Sequence, residues 1–142
     1  MAKSETTRRR RELLRAAQAY ITCVYREFDV GLEEVAEVVG TSPRHLQRVF
    51  REEGGEDFRS YLLRVRMTEA MRLITRERNP LPVRVACRRV GYRQASGLRQ
   101  AFVRFYGYNP STVQKRGPEY LGTVEFGWRR GADAKTTSRT ES

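Results

Sequence analysis

Apolar residues recur at helical spacing along most of the chain, and the breaks between the runs fall at glycine and proline. Leu13, Leu14, Ala17, Ile21, Val24 and Phe28 share one face of a 3.6-residue period and predict an amphipathic first helix ended by Asp29 to Gly31. Leu32, Val35, Ala36 and Val39 then mark a short helix stopped at Gly40, which has no Cβ to resist a left-handed turn. A second helix is predicted at once. Thr41 or Ser42 offers an N-cap oxygen, Pro43 suits the first helical position, and Leu46, Val49 and Phe50 supply a buried stripe before Gly54 and Gly55.

Short helix, glycine turn, second helix is the outline of a helix-turn-helix, although any small helical bundle shares it. The pattern recurs about 51 residues later: Leu32, Val35, Ala36, Val39 and Gly40 align with Val83, Ala86, Cys87, Val90 and Gly91. With one residue added in the turn, Leu46, Phe50 and Gly55 align with Leu98, Phe102 and Gly107, which makes an internal duplication the economical reading. Between the copies, Asp57 to about Arg76 lacks Gly and Pro and carries Phe58, Tyr61, Leu62, Val65, Ala70, Leu73 and Ile74, a single long helix ended by Asn79, Pro80 and Pro82. The expected architecture is all-α, with about seven helices in two tandem helix-turn-helix subdomains joined by a long connecting helix. Its segments are a disordered basic tail at 1–10, a first subdomain at 11–56, the connector at 57–77, a second subdomain at 78–117 and a mostly disordered tail at 118–142.

Charge narrows the choice of partner. The 142 residues hold 28 Lys+Arg against 17 Asp+Glu, a formal net charge of +11, which favours a polyanion. Arg supplies most of that excess, and its planar fork matches phosphate and guanine. The balance is uneven: residues 29–77 hold 8 basic and 10 acidic residues, whereas 78–118 hold 9 basic residues and no acidic one. No apolar run approaches the ~20 residues of a membrane span and none follows Arg8 to Arg11 as in a signal peptide, so a cytoplasmic protein without a membrane partner is expected. Cys23 and Cys87 lie in apolar-periodic stretches and are expected to be buried and reduced.

These residues carry a resemblance to the AraC/XylS family of bacterial transcription regulators, over about Leu13 to Arg116. Ser42-Pro-Arg-His-Leu-Gln-Arg-Val-Phe-Arg51, Gly55, Tyr61-Leu62, Arg66 and Ala70 look like that family's first unit and connecting helix. Gly91-Tyr92, Ser96, Phe102, Gly107 and Pro110 look like its second. The resemblance implies a recognition helix from each unit in successive major-groove segments of double-stranded DNA, and contact with RNA polymerase. With no sensor segment ahead of the motif, the chain is similar to single-domain members or to an excised C-terminal half. Cys87, Leu98, Gln100, Val113 and Gln114 depart from the family pattern, as does Gly97 inside the second recognition helix, where Gly costs roughly 1 kcal/mol relative to Ala.

In the first recognition helix, Arg44, Gln47, Arg48 and Arg51 lie opposite the apolar stripe by spacing. Arg can fork onto guanine and Gln onto adenine, so Arg44, Gln47 and Arg48 are candidate base readers and Arg51 a phosphate contact. In the second, Leu98, Ala101, Phe102 and Phe105 form the buried stripe and leave Ala95, Ser96, Arg99 and Gln100 for the groove. Ser96 and Gln100 suit bases, and Arg99 and Arg104 suit the backbone. Gly97 either permits close approach to the groove or is tolerated drift. The run Arg8 to Arg11, with Arg15, is either a solvated tail or an arm along phosphates. A connector of about 20 residues at 1.5 Å rise spans roughly 30 Å, short of the 34–36 Å between major-groove faces, so DNA bends if the connector is rigid, or one unit engages only in part.

Other function classes have little to stand on. No glycine-rich phosphate loop follows a strand and no nucleophile-base set is visible, so no catalytic residues and no cofactor are expected. The lone His45 has no ligand partners for a metal; a phosphate contact or a helix-start role suits it. Tyr106, Tyr108 and Trp128 read as core or surface aromatics rather than base-stacking platforms. A non-specific architectural or polymerase-associated DNA binder is the alternative, and Glu33, Glu34, Glu37, Glu52 and Glu53 offer an acidic docking face for polymerase. Two units in one chain favour a monomer on DNA, with no small-molecule ligand evident.

Overall fold

The computed structural model of the protein describes residues 2–116 and contains seven helices and no strand among them. They are α1 (Ala2–Val24), α2 (Leu32–Val39), α3 (Pro43–Gly54), α4 (Phe58–Thr75), α5 (Val83–Arg89), α6 (Ala95–Tyr106) and α7 (Pro110–Arg116). The chain divides into two compact units, Met1–Val65 and Arg66–Ser142, so the boundary falls within α4. The expected tail at 118–142, Trp128 included, lies outside the described residues.

In the first unit Leu14, Ala17 and Ile21 of α1 are buried with Val35 and Ala36 of α2 and Leu46, Val49 and Phe50 of α3. Phe50 is the hub: its ring meets Phe58 edge-on at 6.0 Å and Tyr61 at 5.7 Å, tying the start of α4 into the same core. The Tyr20 hydroxyl donates to Glu34 Oε2 at 2.6 Å and links α1 to α2; that bond, then burial and the carboxylate's charge, push the phenol up to about 12. In the second unit Met67, Ala70, Leu73 and Ile74 of α4 are buried together with Val83, Ala86, Leu98, Phe102 and Val113. The Tyr106 hydroxyl donates to the Met67 carbonyl at 3.1 Å, and Gln114 Nε2 donates to the carbonyls of Ile74 and Leu81 at 3.2 and 2.7 Å. Gln114, a departure from the family pattern, thereby ties α7 to the end of α4.

Four sequence expectations are corrected. Residues 2–10, which read as a disordered tail, continue α1, where Arg8 and Arg9 lie one turn from the carboxylates of Glu12 and Glu5. Spacing puts Phe28 on the buried stripe, but α1 ends at Val24 and Tyr25 and Val30 are buried instead, leaving Phe28 51% exposed. Cys23 is exposed, because it stands off the Ala17–Ile21 face, whereas Cys87 is buried. Ala101 is half-buried, because Leu98, Phe102, Phe105 and Tyr106 already fill the core side of α6.

The turns inside the two helix pairs share one construction. Gly40 (φ 77°) and Gly91 (φ 94°) take the left-handed conformation. The Thr41 N–H then reaches back to the Ala36 carbonyl at 2.9 Å, and the Tyr92 N–H to that of Cys87 at 3.0 Å. Ser42 is the cap of α3, its hydroxyl accepting from the His45 N–H at 3.1 Å. At the start of α4, Asp57 accepts from the Ser60 N–H at 2.8 Å and Gln47 Oε1 accepts from the Phe58 N–H at 3.1 Å. The Ser60 N–H holds the Asp57 carboxyl below the usual carboxylate range, against a smaller upward push from burial.

Alanine should act in opposite directions at two glycines. Gly40→Ala forces an L side chain into the left-handed region and is expected to cost about 1–2 kcal/mol, read as a lowered urea midpoint. At Gly97 a Cβ meets Tyr92 Cδ1 at 3.4 Å, an ordinary contact on a helical backbone, so Gly97→Ala is expected to gain about 0.4–1 kcal/mol. Gln47→Ala leaves the part-buried Phe58 N–H without its acceptor and is expected to cost about 1–3 kcal/mol in the same assay. Because the folded state lowers the Asp57 pKa, its stabilisation is present above the ordinary carboxylate pKa and lost as pH falls below about 4. Asp57→Asn, which keeps a capping oxygen but does not titrate there, should therefore be less stable than wild type at pH 7 and approach it on acidification.

Candidate nucleic-acid interface

The helix after each glycine turn divides cleanly into a core face and a solvent face. On α3, Leu46, Val49 and Phe50 are fully buried, while Arg44, Arg48 and Arg51 are exposed at spacings of four and three residues on the opposite side. On α6, Leu98, Phe102 and Phe105 are buried, while Ser96, Arg99, Gln100 and Arg104 are exposed and Ala95 is half-buried at the first position. Each row therefore joins side chains that could reach a groove, on a helix whose other side is fixed by packing. The second row holds no carboxylate, and the first is flanked by Glu52 and Glu53 at its C-terminal end.

One candidate is reassigned. Gln47 is half-buried, and its amide oxygen is taken up by the backbone N–H of Phe58. Bidentate pairing with adenine needs both the oxygen and the nitrogen of the amide on the same base edge. In this arrangement Gln47 positions the start of α4 rather than presenting its amide to a groove. The sequence signal for this role is Asp57-Phe58, a helix start whose first amide needs an acceptor from outside its own helix.

The basic run of α1 is also redirected. Arg10 pairs with Glu52, and Arg11 Nε lies 3.8 Å from Glu53 Oε2, so both turn toward the end of α3. These pairs use carboxylates that the sequence suggested for docking, and Glu34 is engaged by Tyr20. Glu33 and Glu37 remain exposed on α2. His45 is half-buried at the start of α3, where its N–H meets the Ser42 cap, and no group of three or more His, Cys, Asp or Glu among the described residues could hold a metal ion.

Two departures in the second unit acquire a setting. Cys87 donates its thiol to the Tyr92 carbonyl at 3.2 Å within the turn; burial pushes the thiol up, with Arg88 and Arg99 opposing. Tyr92 lies under the Arg66 guanidinium at 5.5 Å, and its ring faces the backbone of Gly97. Arg66 is 9% exposed, and burial lowers its pKa while Tyr92 partly restores it. Gly97 thus packs beside a tyrosine of the preceding turn, a third role beside groove approach and drift.

Comparison with known proteins gives this geometry its relatives. A family model described as a helix-turn-helix domain matches residues 35–116. An HTH-type transcriptional regulator of Mycobacterium tuberculosis is 38% identical over 82 residues, 58% of this chain and 31% of that protein. The chain spans 25% to 31% of the length of the curated relatives it matches. Among solved structures, the C-terminal domain of AraT, a response regulator from Geobacillus stearothermophilus, aligns with a TM-score of 0.69 at 31% identity, covering 73% of this chain and 84% of that one. The DNA-binding domain of AdpA, a global transcriptional factor solved with a target DNA, aligns with a TM-score of 0.66 at 26% identity, over 72% of this chain and 90% of that one. With two glycine-turn helix pairs on one continuous helix and a family match across both, the chain belongs to the AraC-type helix-turn-helix domain family.

Proposed function

We propose that this protein is a sequence-specific, double-stranded-DNA-binding transcription regulator in which α3 and α6 are the recognition helices. The observation that carries this reading is the exposed Arg44, Arg48 and Arg51 row on α3, set on a helix whose opposite face is fully buried. The AdpA domain, which aligns over most of its length, was solved on DNA and supports the choice of ligand. Arg44 and Arg48 stand in the first half of α3, the part of a docked recognition helix that meets base edges, and Arg51 follows one turn later for a phosphate. On α6, Ser96 and Gln100 read bases, Arg99 and Arg104 hold the backbone, and Ala95 lies closest to the groove. The protein acts as a cytoplasmic monomer, since each chain already carries two recognition helices, and the exposed Glu33 and Glu37 of α2 face RNA polymerase.

Selection of bound duplexes from a random library at physiological salt tests the reading. Two short enriched blocks about one helical turn apart are expected. Enrichment of no sequence would replace specific regulation with non-specific architectural binding. Within the selected site, Arg48→Ala is expected to cost about 1–3 kcal/mol of binding and to relax preference at one base pair, while leaving folding stability within about 0.5 kcal/mol because the side chain is exposed. Competition binding against single-base variants, alongside urea melts, checks both.

A further inference from the structure

The duplicated units place corresponding side chains on corresponding helices, and at one face their charges are opposite. With the 51-residue offset, Glu33, Glu37 and Val38 of α2 stand where α5 has Arg84, Arg88 and Arg89, and all six are exposed. The fold alone therefore does not require a basic surface at this position. In the second unit that surface is also concave: Arg84, Arg88 and Arg89 of α5, Arg93 of the turn and Ala95 of α6 line a pocket of about 480 Å³ together with Val85 and Cys87. Four of its seven lining residues are arginines, in a stretch, residues 78–118, that holds no carboxylate.

One wall is the first residue of α6, a 12-residue helix whose N-cap, Gln94, makes no side-chain hydrogen bond to the first turn. The first amides of a helix lack intrahelical acceptors, and its dipole places partial positive charge there. Four arginines and an uncapped helix start make a site for an oxyanion that brings several acceptor oxygens. The four arginines of the pocket are exposed, whereas small-ligand sites bury most of their ligand, so the occupant is part of something larger.

We propose that this arginine pocket between α5 and the start of α6 seats a backbone phosphodiester of the bound duplex, a sequence-independent anchor to which the first unit's acidic counterpart face does not contribute. The inference rests on the DNA-binding reading above. It assigns to Arg84, Arg88, Arg89 and Arg93 a positioning role beside the base-reading row of α6: the phosphate fixes where that helix meets the groove.

The test is duplex affinity of the full chain as a function of salt, for wild type, Arg84→Gln/Arg88→Gln, and the charge-matched control Arg26→Gln/Arg72→Gln, whose arginines lie outside the pocket. The pocket variant should bind selected and random duplexes more weakly by a similar factor. Its log affinity against log salt should be shallower by about 0.9 for each phosphate it no longer neutralises. The control should keep the wild-type slope, and unchanged urea midpoints would confirm that both variants fold. An unchanged slope in the pocket variant, or an equal loss in the control, overturns the pocket assignment while leaving DNA binding intact. Failure of wild type to bind any duplex overturns the DNA-binding reading itself. Inorganic tripolyphosphate is the remaining probe: if it raises the thermal midpoint of wild type but not of the pocket variant, while the duplex slopes coincide, the pocket takes a free polyphosphate and the backbone assignment falls.

Discussion

Both units depend on a chain reversal that only a residue without Cβ makes at low cost. At Gly40 and Gly91 the backbone enters the left-handed region and the next N–H closes onto a carbonyl five residues back. That closure fixes the angle at which the following helix leaves, and so which of its faces meets the core. Leu46, Val49 and Phe50 then turn inward as a set, and Arg44, Arg48 and Arg51 outward as a consequence. The proposed binding surface is in this sense a by-product of the packing: positively charged side chains occupy positions the core does not want, on helices the core holds still.

The same frame serves two electrostatic regimes. The first unit mixes its charges and consumes many of them internally: Arg10 with Glu52, Arg11 with Glu53, and Arg64 with Glu56 at 2.6 Å. Among the described residues the second also pairs Arg72 with Glu69 at 2.6 Å but keeps most of its arginines on the surface; Arg66 is buried over the Tyr92 ring, where it supports the turn rather than facing solvent. Surface cations away from carboxylates act on a polyanion through counterion release, whereas paired ones contribute little. Under the proposed function this amounts to a division of labour, with direct readout weighted toward α3 and charge toward α5 and α6.

Polar side chains stabilise the places where helices begin and end. Ser42, Asp57 and Gln47 satisfy amides at the starts of α3 and α4, and Gln114 satisfies carbonyls at the end of α4 and in the loop before α5. Each resolves a local shortage that a helix terminus creates by geometry. Gln47 and Gln114 do so across 11 and 33 to 40 residues of sequence, which is why inspection of either neighbourhood alone assigns them elsewhere.

The sequence by itself determined the all-α class, the duplicated helix pairs, the long α4 and the exposed arginine row of α3. Those follow from periodicities and from glycine, proline and N-cap residues acting over a few positions, and the local rules and the final packing agree there. Tertiary structure decided what spacing cannot carry. It ended α1 at Val24 and left Phe28 in solvent, because Tyr25 and Val30 supply the burial. It drew Arg10 and Arg11 toward carboxylates on α3, more than 40 positions away, and made helix of a segment whose composition reads as tail. It turned Gln47 from the exposed row to the Phe58 amide and gave Gly97 a tyrosine to pack against. Helical spacing tells which residues share a face; the distant partner that claims one of them is fixed only when the chain has folded.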